Sequence, residues 1–359
     1  EKLASVEAIQ ERLEAIAQRL QPNPPVADDG PQTEPFDSVS VFSTPSVGPS
    51  GKAGIIAHKE PFFDADLSDS MESIEEDTRL DSDEMPTIVL PMQLFNLEEV
   101  GRTDVGRQRD HNEDYFGIET QTAKLESPSG KTLHVRNLYV LCDGMGGHAG
   151  GEVASALAVD TIRQFFQEQW QNSNAPGVGA PELPDLTTMR TAVLKANQAI
   201  YDVNQQNARS GSGRMGTTLV MVLIQDTEVA VAHVGDSRLY RYTRKRGLEQ
   251  ITVDHEVGQR EIQRGVDPDV AYSRPDAYQL TQALGPRDEH FVKPDVQFFE
   301  LSEDMLLLLC SDGLSDNDLL EKHCDTHIKP LLSSQTNLDK GVNELMDLAN
   351  QYNGHDNIS

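Results

Sequence analysis

Two stretches of this chain end apolar, strand-length runs on an aspartate followed by glycine: Leu138-Tyr-Val-Leu-Cys-Asp143-Gly144 and Leu306-Leu-Leu-Leu-Cys-Ser-Asp312-Gly313. Any fold that buries both runs carries two carboxylates to the ends of its strands. Two more acidic clusters, Arg109-x-x-Asn112-Glu113-Asp114 and Asp356-Asn357, sit at similar boundaries. Carboxylates gathered in one pocket repel and raise each other's pKa unless a cation neutralises them, so the four clusters together predict one metal site. No zinc-type Cys/His set competes, and ligation by Asp side chains, a backbone carbonyl and water suits Mg or Mn. Taken singly, each Asp-Gly pair also reads as an ordinary surface turn.

The 359 residues are roughly two domains' worth of chain. In residues 3–20, Val6, Ile9, Leu13, Ile16 and Leu20 recur at coiled-coil spacing, which predicts an amphipathic helix suited to self-association or to a helical partner. Residues 21–97 turn to Pro, Ser, Asp and Glu and cannot bury enough apolar surface to offset ordering entropy, so a disordered acidic linker is expected. The folded domain is expected over residues 98–359. With 30 basic against 59 acidic side chains, the formal net charge of −29 opposes nucleic acid and anionic membranes as partners. Three cysteines without a CxxC pair fit a reducing cytoplasm, and no apolar run of membrane-spanning length occurs.

Within that domain, strands are expected at residues 114–120, 133–142, 217–224, 229–234, 238–242, 296–301 and 305–310, with helices at 151–171 and 186–207. The runs at 217–224 and 229–234 are close enough for an antiparallel hairpin. Two helices inserted among antiparallel strands predict an α+β sandwich in place of an alternating parallel sheet. Residues 210–216 and 261–279 read as loops, the second long enough to be a functional flap.

Several chemistries fail on the sequence. No GK[ST] occurs, and the one G-x-G-x-x-G, Gly211 to Gly216, follows a helix and precedes a strand, the reverse of a nucleotide-binding context. Six places after Cys142, Cys310 and Cys324 stand His148, Asp316 and Pro330, so no Cys-x5-Arg phosphate loop exists. No G-x-S-x-G elbow is present. What remains is a metal-activated water attacking an electrophile whose anionic oxygens the cations also hold. The glycines after Asp143 allow the Gly144 carbonyl to act as a ligand. His148 reads as a general acid, a substrate contact or a helix-start residue, and Arg109 as an ion-pair partner or an anion clamp.

Beyond these clusters the chain carries Gly216-Thr217-Thr218, Ala232-His-Val-Gly235-Asp236-Ser237-Arg238 and Leu280-Thr-Gln-Ala-Leu-Gly285. The ordered set, spanning residues 101–359, resembles the protein phosphatase 2C family of metal-dependent serine/threonine phosphatases, in its bacterial-type branch. The resemblance implies a β-sandwich flanked by helices with a dinuclear Mg or Mn centre, whose bridging water or hydroxide hydrolyses phosphoserine and phosphothreonine on proteins. It implies that Asp143 bridges both ions, with Asp312 and Asp356 on the first and the Gly144 carbonyl on the second, while Glu113 and Asp114 act through bound water. Asp236 matches a ligand of a third, weaker ion shared with Asp312, Arg109 the phosphate-binding arginine, and His148 a histidine at the site mouth. In that family the chain runs on into a final core strand, so this strand is expected to be truncated and Asp356 to sit at the least anchored corner. A non-catalytic phosphoprotein-binding or scaffolding module on the same fold is the alternative reading.

Overall fold

The computed structural model describes residues 96–127, 130–146, 150–173, 182–207, 214–333 and 335–359. The chain divides into two units, Glu1–Val89 and Leu90–Ser359, and the described residues all belong to the second. The helix expected at residues 3–20, the linker up to residue 95, and His148 lie outside the described residues.

One sheet orders β1 (Asp114–Ser127), β2 (Gly130–Met145), β4 (Leu219–Gln225), β5 (Glu228–Val234) and β8 (Asp295–Glu300), with the two-residue β3 (Gly216–Thr217) pairing the end of β2. The other sheet orders β7 (Gly247–Gln250), β6 (Arg238–Thr243) and β9 (Met305–Cys310). Every pairing is antiparallel. The expected hairpin joins β4 to β5 with Gln225 opposite Glu228. Two long helices, α1 (Gly150–Ser173) and α2 (Leu186–Asn207), cover the first sheet.

Side-chain parity assigns the layers. Leu138, Val140 and Cys142 of β2 point at Phe166, Trp170 and Ile200 of the two helices, whereas the alternate residues Tyr139 and Leu141 face the space between the sheets. Leu307 and Leu309 of β9 meet them there, and Leu306, Leu308 and Cys310 face the opposite way. That outer face is covered by C-terminal helices, the short α6 (Leu319–Lys322) with Leu319 and Leu320 and the longer α7 (Leu338–Tyr352) with Leu345, Met346 and Ala349. The result is a helix-sheet-sheet-helix α+β sandwich, as the strand pattern predicts.

Three features differ from expectation. The region expected as loop at 261–279 carries the end of α3 (Val257–Gln263) and all of α4 (Pro268–Tyr272), the latter started by Asp267 accepting from the Asp269 N–H at 3.0 Å. Strand β7 and α7 add elements that the sequence reading did not include. Strand β2 also continues through Asp143 and Gly144 to Met145, where a turn directly after Asp143 was expected.

Helix α2 braces the site end of the sandwich. Asn204 donates to the carbonyls of Met215 (2.8 Å) and Gly285 (2.9 Å) and accepts from the Met215 N–H (3.0 Å). Asn197 accepts from the Gly285 N–H at 2.8 Å. Gly285 adopts φ +99 and lies so close to Ile200 that a Cβ would meet its Cγ2 at 2.3 Å. Replacing buried Asn204 by leucine leaves three backbone groups without partners, each costing about 1–3 kcal/mol. Asn204→Leu is expected to lower unfolding free energy by about 3 kcal/mol in urea denaturation, and a loss below about 1 kcal/mol would contradict this role.

Candidate metal centre

Asp143 shares its strand face with Leu141, and Asp114 shares its face with Phe116, so both carboxylates enter the space between the sheets at the same end. Their register makes the placement sharper: Asp114 and Asp143 are direct cross-strand partners. The Asp143 backbone is fixed on its other side, where its N–H donates to Thr218 Oγ1 (3.0 Å) and its carbonyl accepts from Thr218 N (2.8 Å) and Thr217 Oγ1 (2.8 Å).

Glycine sets how tightly the next residues close. A Cβ on Gly144 would stand 2.1 Å from the Gly151 carbonyl oxygen and 2.7 Å from that of Glu113. One on Gly151, in the first turn of α1, would meet Glu113 Oε1 at 2.4 Å. The Gly144 N–H donates to the Glu113 carbonyl at 3.1 Å, and Ser155 Oγ donates to the same oxygen at 2.6 Å. The Glu113 carboxylate therefore lies at the N-terminus of α1 with the Gly151 N–H as donor.

Asp312 opens the short turn α5 (Asp312–Ser315) just beyond β9. The residue before it, Ser311, donates its hydroxyl to Asp114 Oδ2 at 2.7 Å and accepts from the Ser359 N–H at 3.1 Å. The corner expected to be least anchored is held firmly. Asn357 donates to the carbonyls of Val105 and His111, both at 2.9 Å, and its side-chain oxygen accepts from the Glu113 N–H at 2.8 Å. Ile358 and Asp104 exchange two backbone hydrogen bonds at 2.8 and 2.9 Å. Arg109 reaches this corner too, pairing with Asp356 Oδ2 at 2.5 Å and not with the nearer-in-sequence Glu113.

The carboxyls burden one another. Asp114 is pushed up from an ordinary 3.8 to about 7, first by burial and then by Asp312 and Asp356, against hydrogen bonds from Ser311 and Ser359. Asp312 rises to about 6 through burial, Asp316 and Asp356. Asp236 rises to about 8 through burial, Asp312 and Glu256. Asp143 is raised well above its ordinary value by burial and by Asp114, Asp312, Asp236 and Asp356. Glu113 rises by burial, with Arg109 opposing. Thiols offer no alternative: burial pushes Cys310 up to about 12 and raises Cys142 further.

The structure thus brings together Arg109, Glu113, Asp114, Asp143, Gly144, Asp236, Asp312 and Asp356. Asp114 Oδ1 and Asp312 Oδ1 are buried and have no hydrogen-bond partner, which is what a hard divalent cation relieves. The donor set is all oxygen, so the residues fit Mg or Mn. Sequence reasoning missed Ser311 and Thr218 as supports. Their only signal is adjacency to Asp312 and to the Gly-Thr-Thr run, because cross-strand register decides their contacts.

Raised carboxyl pKa values make the metal-free fold pH-dependent with a definite sign. Folded values above the unfolded value mean that the contribution to stability is complete below about pH 4 and is lost as pH rises through about 6 to about 8. Manganese replaces those protons, so at a fixed Mn concentration it should raise the melting temperature more at about pH 8 than at about pH 5, a hundredfold excess over Kd at the higher pH corresponding to about 3 kcal/mol of stabilisation. Scanning calorimetry with chelator or Mn across that range checks this; a pH-independent shift would overturn it.

The model for the family described as Protein phosphatase 2C matches residues 128–348. The serine/threonine phosphatase Stp of Listeria monocytogenes is 32% identical over 259 residues, covering 72% of this chain and 92% of that protein. The crystal structure of the Mycobacterium tuberculosis serine/threonine phosphatase PstP/Ppp is similar with a TM-score of 0.53 at 30% identity, covering 72% of this chain and 93% of that one. The catalytic domain of the serine/threonine protein phosphatase PstP in complex with two manganese ions gives a TM-score of 0.51 at 28% identity, over 72% and 93% of the two chains. Sequence, fold and the acidic strand ends agree: the chain belongs to the protein phosphatase 2C family and is a metal-dependent serine/threonine protein phosphatase.

Proposed function

We propose that this chain hydrolyses phosphoserine and phosphothreonine esters at a centre of two Mg or Mn ions held by Asp143, the Gly144 carbonyl, Asp312 and Asp356. One observation carries the reading: two partnerless buried carboxylate oxygens, on Asp114 and Asp312, accompany a third carboxylate, Asp143, whose charged form burial and four neighbouring aspartates disfavour. Bound there, the ions would lower the pKa of water to about 7 and neutralise phosphoryl oxygens.

The protein's own groups position and balance. Asp143 interacts with Asp114, Asp312, Asp236 and Asp356 at once, which suits a ligand shared by both ions. Glu113, held by the Gly151 N–H, and Asp114, held by Ser311, are oriented to accept hydrogen bonds from ordered water. Asp236, close to Asp312, suits a third and weaker ion. Arg109 is half-exposed and spends one nitrogen on Asp356, which leaves further donors of its planar fork for a substrate phosphate. His148 is proposed as a contact at the mouth.

The partner implied is a phosphorylated protein. Residues 3–20 are proposed as a coiled-coil or self-association segment. Among the described residues no helix is long and apolar enough to cross a membrane. Three free thiols, two of them buried, suit a reducing cytoplasm.

Phosphate release from a phosphothreonine peptide is expected with Mn or Mg and lost with chelator; release that persists without divalent ions would sink the proposal. Asp143→Asn and Asp312→Asn should each lower kcat/KM at least about a thousandfold. Arg109→Ala should act chiefly on KM, by about tenfold or more, with Arg109→Lys recovering only part because an ammonium lacks the bidentate fork. Steady-state kinetics in saturating Mn separates these effects, and an unchanged KM for Arg109→Ala would remove Arg109 from phosphate binding.

A further inference from the structure

Away from the carboxylate cluster, His233, His255 and Asp295 bring three donor atoms within 4.8 Å of one another, a spacing a zinc-like ion could use. Their hydrogen bonds argue against that use. The Gly235 N–H donates to His255 Nδ1 at 3.1 Å, so that nitrogen carries the lone pair and the proton of the neutral ring lies on Nε2, facing Asp295 Oδ2 at 3.2 Å. Val253's carbonyl lies 2.9 Å from His233 Nε2 and can only accept, so that nitrogen is also N–H. A cation would meet one open imidazole lone pair, on His233 Nδ1, instead of two.

The same bonds describe a different device. Segment 253–255 runs along residues 233–238 and holds them at His233, Gly235 and Arg238. Val253 engages His233, and Asp254 holds Arg238 at 2.7 Å. His255 clamps Gly235 at two points: its backbone N–H donates to the Gly235 carbonyl at 2.9 Å, and its ring accepts from the Gly235 N–H. Its own carbonyl is fixed by Thr281, through N–H at 2.7 Å and Oγ1 at 2.9 Å. The ring stacks on His233 at 4.8 Å between centroids. Gly235, at φ +108, is pressed onto Thr218, where a Cβ would lie 2.7 Å from Thr218 Cβ. Thr218 in turn accepts from the Asp143 N–H and shares a 2.6 Å hydrogen bond with Ser237.

We infer that His255, oriented by Asp295, is a positioning residue that sets the Gly235–Asp236 turn, and so aims Asp236 at Asp312 and tunes the affinity of the weakest cation. The inference rests on the reading of Asp236 as a ligand. Outer groups that orient ligands govern ion affinity typically by about ten- to a hundredfold, and here a carboxylate fixes an imidazole that in turn fixes the backbone beside the ligand. His255 acts through the turn and touches no substrate.

Calorimetric titration of the chelator-stripped full chain with Mn tests this without relying on turnover. Asp236→Asn should abolish the weakest binding event. His255→Leu should weaken that event about tenfold or more while leaving the tighter events unchanged. His255→Asn, whose side-chain oxygen can take the place of Nδ1, should restore most of the affinity, and Asp295→Asn should fall between. If Asp236→Asn removes the weak event but His255→Leu leaves it intact, the inference fails and the ligand reading stands. It also fails if His255→Asn is as weak as His255→Leu, since packing and not the acceptor would then matter. If Asp236→Asn retains the weak event, the ligand reading fails and the inference falls with it, and absence of tight events in every variant instead defeats the two-ion centre. Should His255→Leu not fold, Asp295→Asn, altered on the exposed rim, decides: an isotherm identical to the unmodified chain's overturns the inference.

Discussion

Asp114 and Asp143 face each other directly across antiparallel strands, and the rest of this end of the sandwich is organised around that confrontation. Two carboxylates about 5 Å apart repel by about 3 kcal/mol at an effective dielectric of about 20. That is a large share of a domain's usual margin of about 5–15 kcal/mol. A fold can tolerate the pair only by keeping a proton there or by admitting a cation. The raised carboxyl pKa values are the first solution, and the partnerless oxygens of Asp114 and Asp312 are the opening for the second.

Holding such a pair requires a rigid frame, and the frame is mostly backbone. The segments that meet here come from residues 104–113, the end of β2, the start of α1, the turn after β9 and residues 356–359. They are joined by single hydrogen bonds more than by ladders. Asn357 alone ties residues 356–359 to residues 104–113 at three points, Val105, His111 and Glu113. Close approach without side chains completes the frame, since Gly144 and Gly151 stand where any Cβ would strike a carbonyl or the Glu113 carboxylate. The same economy explains Gly313, where a Cβ would lie 2.0 Å from the Asn357 carbonyl oxygen.

Much of this was legible in the residues because period-two alternation is a local property. Leu141 buried between the sheets forces Asp143 onto the same face, and the apolar run of β9 delivers Asp312 to the same rim. Helix α7 is legible as well, since Val342, Leu345, Met346 and Ala349 keep helical spacing, although it carries no chemical motif. Strand β7, Gly247–Gln250, has a single aliphatic residue and exists because Tyr240 to Thr243 offer it a ladder. Partners were the hidden part. Arg109 lies four residues before Glu113 yet pairs with Asp356, and Ser311 and Thr218 support aspartates that only the strand register brings near. Register is a long-range property that no local window carries.

The global charge and the local chemistry point in opposite directions, and distance resolves the conflict. A chain of net charge −29 would repel a phosphorylated protein if its charge acted as a whole. At physiological ionic strength fields decay over about 8 Å, so an incoming phosphate responds to the rim it reaches and not to residues far along the chain. At that rim burial and neighbouring carboxylates disfavour the charged form of Asp143, and the half-exposed guanidinium of Arg109 sits against Asp356. The acidic excess then has a local effect: within that range it raises the concentration of divalent cations near the carboxylates. Under the proposed function, one phosphoryl group would have to meet both the ions and Arg109 at once.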